Sequence, residues 1–308
     1  MIYSVASFYK FNPTPEGAVK DLGDLLKSKG TELDIYGLIV LAPEGINATI
    51  AGNRENVESY LSWMRDNTTF NISDPKWSES DKNPFGRLRI DLRPEIVTLG
   101  YETASQDVIE RTKISPEEWH AKITSSNPPL MVDVRNDYEV RIGKFNGAID
   151  PNTRVFTEFP RYLDSIDGRK DEEILMYCTG GIRCEKATKL MLDRGFKNVK
   201  QLSGGILKYL ERYPNGEFNG ECFIFDRRIA LDGNLAPTQK YGLCVHCGDP
   251  SATSENCTRC GKVAPVCERC HAEPSKRSCS KNCAHHLELG SRVKPKKKSC
   301  ANPESIKS

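Results

Sequence analysis

An apolar run, Ile174-Leu-Met-Tyr177, passes directly into Cys178-Thr-Gly-Gly-Ile-Arg183-Cys-Glu-Lys-Ala187. A strand that ends on a thiol and turns through two glycines into helix-forming residues admits few folds other than an α/β layer with a loop at its strand end. Backbone N–H groups from Thr179 to Arg183 are then able to turn toward the sulfur, with Gly180, Gly181 and Ile182 forming the bend. The helix beginning near Cys184 adds its positive end, so an anion on Cys178 is favoured. Four residues separate Cys178 from Arg183. A loop this short suits a single terminal sulfur better than a tetrahedral phosphate. A buried structural cysteine at a strand end would need neither the glycines nor the arginine.

Upstream, Pro128-Pro-Leu-Met-Val-Asp133-Val-Arg135 reads as another buried strand, followed by Tyr138-Glu139, a turn at Gly147-Ala-Ile149 and, after a further strand, Gly204-Gly205. Together with the Cys178 loop these segments resemble the rhodanese domain, an α/β fold with a parallel sheet, over residues 115–215. The resemblance implies that Cys178 carries a persulfide and that Arg183 closes the loop. Asp133 and Arg135 are expected to brace the scaffold as a strand-end ion pair. Cys184 is open to two readings, a second thiol that resolves the persulfide as a disulfide or a small residue at the helix start.

The 308 residues, 38% hydrophobic and 28% charged, are enough for two or three domains. No stretch is long and apolar enough to span a membrane, and the start, Met1-Ile-Tyr-Ser-Val, shows no basic leader; a cytoplasmic protein is expected. In that compartment twelve cysteines argue for metal binding and reactive thiols over disulfides.

Eight of the twelve form close pairs: Cys244 and Cys247, Cys257 and Cys260, Cys267 and Cys270, Cys279 and Cys283. Three pairs have the two-residue spacing of zinc knuckles, and Gly248 and Gly261 supply tight turns beside the metal, so up to two structural zinc ions are expected. The spacing leaves the pairing open. A sequential arrangement joins the first pair to the second, and a cross-braced one joins the first to the third. Each of His246, His271, His285 and His286 is a candidate substitute for a thiolate. Beyond the four cysteine pairs, Lys294 and Lys296-Lys-Lys298 form a basic run, read as part of a disordered tail with nucleic-acid contact as the alternative.

The first 95 residues read as a separate α+β unit of ferredoxin-like order. Val5–Tyr9 is a strand, 16–29 a helix burying Val19, Leu22, Leu25 and Leu26, and Gly37–Leu41 and Asn47–Ile50 are strands around a turn at Pro43-Glu44. A helix over 54–66 and a final strand over 85–92 complete it. In that last strand Arg87, Arg89, Asp91 and Arg93 alternate with aliphatic residues, which puts three guanidiniums on one face. Such a face either grips RNA phosphates or stands solvated beside neighbouring acids.

Ala42-Pro-Glu-Gly-Ile-Asn47, Asn83-Pro-Phe-Gly-Arg87, Glu95-Ile-Val-Thr-Leu-Gly100, the Cys178 loop through Lys186, and Cys222-Phe-Ile-Phe-Asp226-Arg-Arg228 together resemble the rhodanese-containing, oxygen-dependent tRNA uridine(34) hydroxylases over residues 1–247. The resemblance implies an acylphosphatase-like N-terminal domain and conversion of the wobble uridine to 5-hydroxyuridine. It implies molecular oxygen as co-substrate and the tRNA anticodon loop as partner. A rhodanese sulfurtransferase fed by a persulfide donor protein is the alternative. The expected organisation is 1–95, a linker over 96–114, the rhodanese domain over 115–215, and a cysteine-rich region over 216–308 that departs from the family after Cys247. No flavin or nicotinamide fingerprint is present. Addition of Cys178 to uracil C6 and delivery of an activated oxygen by Cys178 both remain open.

Overall fold

A computed structural model describes residues 2–290. The chain divides into two compact units, one running to Gln239 and the other starting at Lys240. The basic run at Lys294 and Lys296–Lys298 lies outside the described residues. Among those described, no helix is long and apolar enough to cross a membrane.

The first unit opens with β1 (Tyr3–Phe11), α1 (Glu16–Glu32), β2 (Tyr36–Ala42), β3 (Gly45–Gly52), α2 (Arg54–Asn67), β4 (Lys76–Ser80) and β5 (Leu88–Leu92). They form one five-stranded sheet of order β4-β1-β3-β2-β5. β1 pairs antiparallel with β3 and β4, and β5 runs parallel to β2. Period-two alternation turns Ala6, Phe8, Ile46, Ala48 and Ile50 toward the helices, where they meet Leu26, Val57, Tyr60 and Met64. The opposite face carries polar residues, among them the hydroxyls of Ser7 and Thr49, 3.0 Å apart.

Two sequence expectations are corrected here. The strand that completes the ferredoxin-like order is Lys76–Ser80 on the β1 edge, whereas 88–92 is a fifth strand on the far edge. Residues 76–80 are polar except for Trp77, which packs on the core from an edge strand, so they carry no apolar alternation to read. On α1 the buried face is Val19, Gly23, Leu26 and Gly30, and Leu25 is 44% exposed. Small residues at 23 and 30 let the helix approach β5: a Cβ at Gly23 would lie 3.2 Å from Leu92.

Then follow α3 (Gln106–Thr112), β6 (Lys113–Ile114), α4 (Pro116–Ile123), β7 (Leu130–Asp133), α5 (Asp137–Val140), β8 (Gly143–Phe145), α6 (Phe159–Leu163), β9 (Glu173–Tyr177), α7 (Ile182–Asp193), β10 (Asn198–Leu202) and α8 (Gly205–Arg212). Strands β6-β10-β9-β7 form a parallel sheet. The stretch expected as linker thus contains a helix and the sheet's edge strand. Strand β9 is apolar on both faces, as a covered parallel strand must be. Ile174, Met176 and Cys178 enter the core under α6 and α7, and Leu175 and Tyr177 the core under α4 and α8. Ile174, Leu175 and Met176 are fully buried, each contributing about 1.5–3 kcal/mol. The chain after α8 stays with this unit. β11 (Phe218–Gly220) pairs with β8, and β12 (Cys222–Phe223) pairs with β13 (Ala230–Leu231).

Among the described residues the second unit contains two small hairpins, two short α-helices and a 3-10 turn. β14 (Gly242–Leu243) pairs with β15 (Pro250–Ser251), and β16 (Ser254–Asn256) pairs with β17 (Val263–Pro265). α9 (Glu268–His271) and α10 (Lys281–Glu288) each bring cysteines to a hairpin. Among the described residues its buried apolar side chains are few, Val266, Ala264, Ala284 and the cysteines, so something other than hydrophobic burial must hold it.

Candidate active site and metal centres

Cys178 follows the last residue of β9, and the chain turns through Gly181, whose φ of +100° suits glycine, into α7. The Gly181 N–H donates to Cys178 Sγ over 3.1 Å. α8 fixes the loop from behind: the Ile206 and Leu207 N–H groups donate to the carbonyls of Cys178 and Thr179 at 3.0 and 3.1 Å. Gly205 (φ +67°) stands where a Cβ would lie 2.5 Å from the Cys178 carbonyl oxygen, so close approach requires glycine. Burial resists ionisation of Cys178. The Cys184 thiol, the Arg183 charge and the N–H groups of Arg183 and Cys184 overcome it and bring the thiol down to about 6. Burial and the neighbouring Cys178 push Cys184 the other way.

Arg183 does not reach out to solvent. Its guanidinium makes a two-point pair with the fully buried Glu139, at 2.6 and 2.8 Å, and the Thr179 hydroxyl donates to the same carboxylate over 3.4 Å. Glu139 is itself set by a capping box with Asn136 at the start of α5. Burial opposes the Glu139 charge, and Arg183 more than restores it, holding the carboxyl below its ordinary range. Asp133 and Arg135 pair beneath the sheet's end at 2.6 and 2.9 Å, and Arg135 also donates to the Gly143 carbonyl over 2.6 Å. Both are fully buried, so they tie β7 to β8.

The polar face of the N-terminal sheet closes over this loop, which the sequence reading did not foresee. Tyr9 on β1 donates to Glu185 in the first turn of α7 over 2.8 Å, and a Cβ added at Gly181 would lie 2.9 Å from the Tyr9 hydroxyl. Lys186, with no exposed surface, pairs with Glu44 at 2.8 Å and Glu95 at 2.5 Å. Three of the separated motifs thus meet on one ammonium. Cys178 under this cover is fully buried. Beside it a cleft of about 350 Å³ opens, lined among others by Tyr9, Lys76, Lys113, Glu185, Gly204 and Lys208. Lys113 pairs with Glu185 and Lys208 with Asp74. The Lys76 ammonium lies 4.8 Å from the centre of the Tyr9 ring. Burial pushes it down to about 8, with Asp74, Cys178 and Glu185 holding it up and Lys208 lowering it further.

The arginine ladder lies away from the loop on the exposed edge of the N-terminal sheet. Asp91 accepts from Arg89 at 2.5 and 3.0 Å and from Arg93 at 3.1 Å, and Arg87 is exposed.

In the second unit the cysteines gather as two groups, Cys244, Cys247, Cys267 and Cys270, and Cys257, Cys260, Cys279 and Cys283, with every sulfur of a group within 4.8 Å of the others. The pairing is cross-braced, first with third and second with fourth. Four sulfurs about 2.3 Å from a tetrahedral ion stand about 3.8 Å apart. The separations of 3.6 Å for Cys247 and Cys267, and 3.5, 3.7 and 3.9 Å within the second group, fit such an ion. Each group could hold a metal ion. Matching turns begin both: Gly248 N–H to the Cys244 carbonyl and Gly261 N–H to the Cys257 carbonyl, both 2.8 Å. The histidines belong to neither group. His246 Nε2 meets the Ser278 carbonyl at 2.9 Å, and His271 lies 3.6 Å from Glu255.

A five-stranded α+β domain closed over a strand-end cysteine loop defines a rhodanese-type protein with an N-terminal extension. Family models agree: residues 3–96 match the UPF0176 acylphosphatase like domain, 115–212 the rhodanese-like domain, and 219–284 the rhodanase C-terminal model. The last match runs across all four cysteine pairs, which corrects the expected departure after Cys247. A protein of Bdellovibrio bacteriovorus named tRNA uridine(34) hydroxylase is 43% identical over 290 residues, 93% of this chain and 82% of that one. Proteins of the same name from a Picosynechococcus strain and from Teredinibacter turnerae are 41% and 39% identical, over 87% and 94% of this chain and 90% and 91% of theirs. The chain belongs to the tRNA uridine(34) hydroxylase family.

Proposed function

We propose that this chain is a tRNA-modifying enzyme that hydroxylates the wobble uridine at C5 with molecular oxygen, and that Cys178 is its reacting group. The observation that carries the reading is the Cys178 sulfur, held against the Gly181 N–H in a loop braced by α8 and the Arg183–Glu139 pair, in a chain 43% identical to a protein named tRNA uridine(34) hydroxylase. Thr179, Gly180, Gly181, Ile182 and Cys184 shape the loop. Arg183 closes the loop through Glu139, and its charge favours the Cys178 thiolate. Asp133 and Arg135 hold the strand ends beneath.

The anticodon loop is the partner this reading requires, because only a single-stranded, splayed loop exposes uracil C5 to an enzyme. Arg87, Arg89 and Arg93 supply backbone contacts that position RNA without reading its sequence. The two cysteine groups hold structural zinc, which contributes folding energy to residues 244–283 and no chemistry to the reaction.

The test is mass spectrometry of nucleosides from tRNA incubated with the purified protein in air and under nitrogen. Appearance of 5-hydroxyuridine in air alone supports the reading. Sulfur transfer from thiosulfate to a thiol acceptor, with tRNA unchanged in both atmospheres, would replace it with a persulfide-carrying sulfurtransferase.

A further inference from the structure

The geometry points to the cleft beside the Cys178 loop as the seat of the target nucleotide, with Lys76 holding its phosphate and Tyr9 forming the surface that receives its base. The inference rests on the tRNA reading above and adds to it a site on the N-terminal domain. At about 350 Å³ the cleft has the volume of a small-ligand pocket, larger than a single anion needs. Its walls come from both halves of the unit: Tyr9 and Lys76 from adjacent strands β1 and β4, Gly204 from the turn that precedes α8, and Glu185 from the helix that starts at the loop.

Five basic and five acidic side chains line the cleft, and they are not all paired with one another. Lys113 is neutralised by Glu185 at 3.3 Å, and Lys208 by Asp74 at 2.9 Å and Glu211 at 3.0 Å. Lys76 forms no ion pair among the described residues and lies over an aromatic ring. An ammonium with no carboxylate of its own, facing a cleft, is suited to an anion brought by a ligand. RNA brings one phosphate per nucleotide.

Tyr9 supplies the other half. The Lys76 ammonium lies over one face of its ring, 4.8 Å from the ring centre, and its hydroxyl would meet a Cβ at Gly181 of the loop. Tyr9 lines the cleft and Cys178 does not, so a base entering meets Tyr9 first, and stacking on the ring face that Lys76 leaves free would hold a splayed base. The Glu185 bond fixes the ring on the helix that also carries Arg183 and Cys184, so the base-holding surface and the loop move as one piece. Tyr9 and Lys76 are positioning residues under this assignment.

The experiment measures binding of a fluorescent anticodon stem-loop RNA to the full chain under nitrogen, where oxygen-dependent turnover is stopped. The RNA carries either uridine or an abasic site at the wobble position. Wild-type protein should prefer the uridine form by roughly tenfold, the scale of one stacked base. Lys76→Gln should lower the salt slope of affinity by about one unit, and Lys76→Arg should restore it. Tyr9→Phe should keep the preference for uridine, and Tyr9→Leu should remove most of it. In air, Lys76→Gln should raise KM with kcat little changed. If Lys76→Gln leaves slope and KM at wild-type values while wild-type protein makes 5-hydroxyuridine, the cleft is not the seat and the tRNA reading stands. If wild-type protein makes none in air, the tRNA reading itself fails, whatever the cleft binds.

Discussion

Tyr9 and Glu185, 176 residues apart in the chain, are joined by a 2.8 Å hydrogen bond directly over the loop that carries Cys178. The bond links the first strand of the N-terminal sheet to the first turn of α7. Cys178 beneath it is fully buried, and Tyr9 and Glu185 themselves line the cleft that holds Lys76. An enclosed thiol is protected from adventitious oxidation and is presented to what the N-terminal domain admits.

Cys178→Ser removes the reacting sulfur and leaves a side chain of similar size, so tRNA modification should be abolished with the fold intact. Cys184→Ser should retain much of the activity, since Cys184 is held as the neutral thiol. Both are checked by nucleoside mass spectrometry together with denaturation midpoints. Wild-type yield from Cys178→Ser would remove Cys178 from the reaction.

The thiolate of Cys178 should be present from unusually low pH. Because its pKa is lowered, the thiolate fraction grows as pH rises through about 6 and is lost below it, whereas an ordinary cysteine ionises near pH 8.5. Iodoacetamide labelling of the Cys178 peptide, followed by mass spectrometry, should be half-maximal near pH 6. In Cys184→Ser the profile should change, because the Cys184 thiol is one of the supports. A midpoint above 8 in the wild type would contradict the cradle.

Glu139→Gln leaves the Arg183 guanidinium buried without its carboxylate. Breaking a buried pair from one side typically destabilises by about 3–5 kcal/mol. The expected result is a denaturant midpoint shift of that order with activity impaired by the displaced loop. A change below about 1 kcal/mol, the scale of an exposed pair, would mean that the bridge does not organise the loop.

Elemental analysis should find close to two zinc ions per chain, falling toward one in the Cys244→Ser, Cys247→Ser double variant. The cross-brace makes a sharper demand. Cys267→Ser, Cys270→Ser should remove the same ion as the first double variant, and combining all four substitutions should still leave one. Loss of both ions on combination would indicate a sequential pairing.

Arg87→Ala should reduce the salt slope of tRNA binding by about one unit per lost phosphate contact. Arg89→Ala should have a smaller effect, because Arg89 is already engaged by Asp91 and its removal leaves Asp91 to Arg93. Slopes unchanged in both variants would assign the ladder to solvent.

What the sequence disclosed was whatever chemistry lies close along the chain. The Cys178 loop, the Asp133–Arg135 pair and the cysteine knuckles each fall within a few residues, so their spacing carries their geometry. The strand 76–80 was missed because an edge strand with a single apolar residue has no alternation. Which knuckles share an ion depends on how two hairpins interleave, and spacing is silent on that. Tyr9 and Lys76 were invisible for a related reason. A tyrosine in an apolar strand and a lysine in a polar one signal nothing until the sheet is laid over the loop. Lys186 was legible only as a motif residue, and its meeting with Glu44 and Glu95 required the fold.

The most direct test of the central claim uses oxygen-18 gas. Purified wild-type protein and its Cys178→Ser variant are each incubated with tRNA lacking the modification under the labelled gas, and the nucleosides are analysed by mass spectrometry. The account predicts 5-hydroxyuridine with the heavy isotope at C5 from the wild type and none from the variant. Unlabelled 5-hydroxyuridine from the wild type, or labelled product from Cys178→Ser at the wild-type rate, would contradict it.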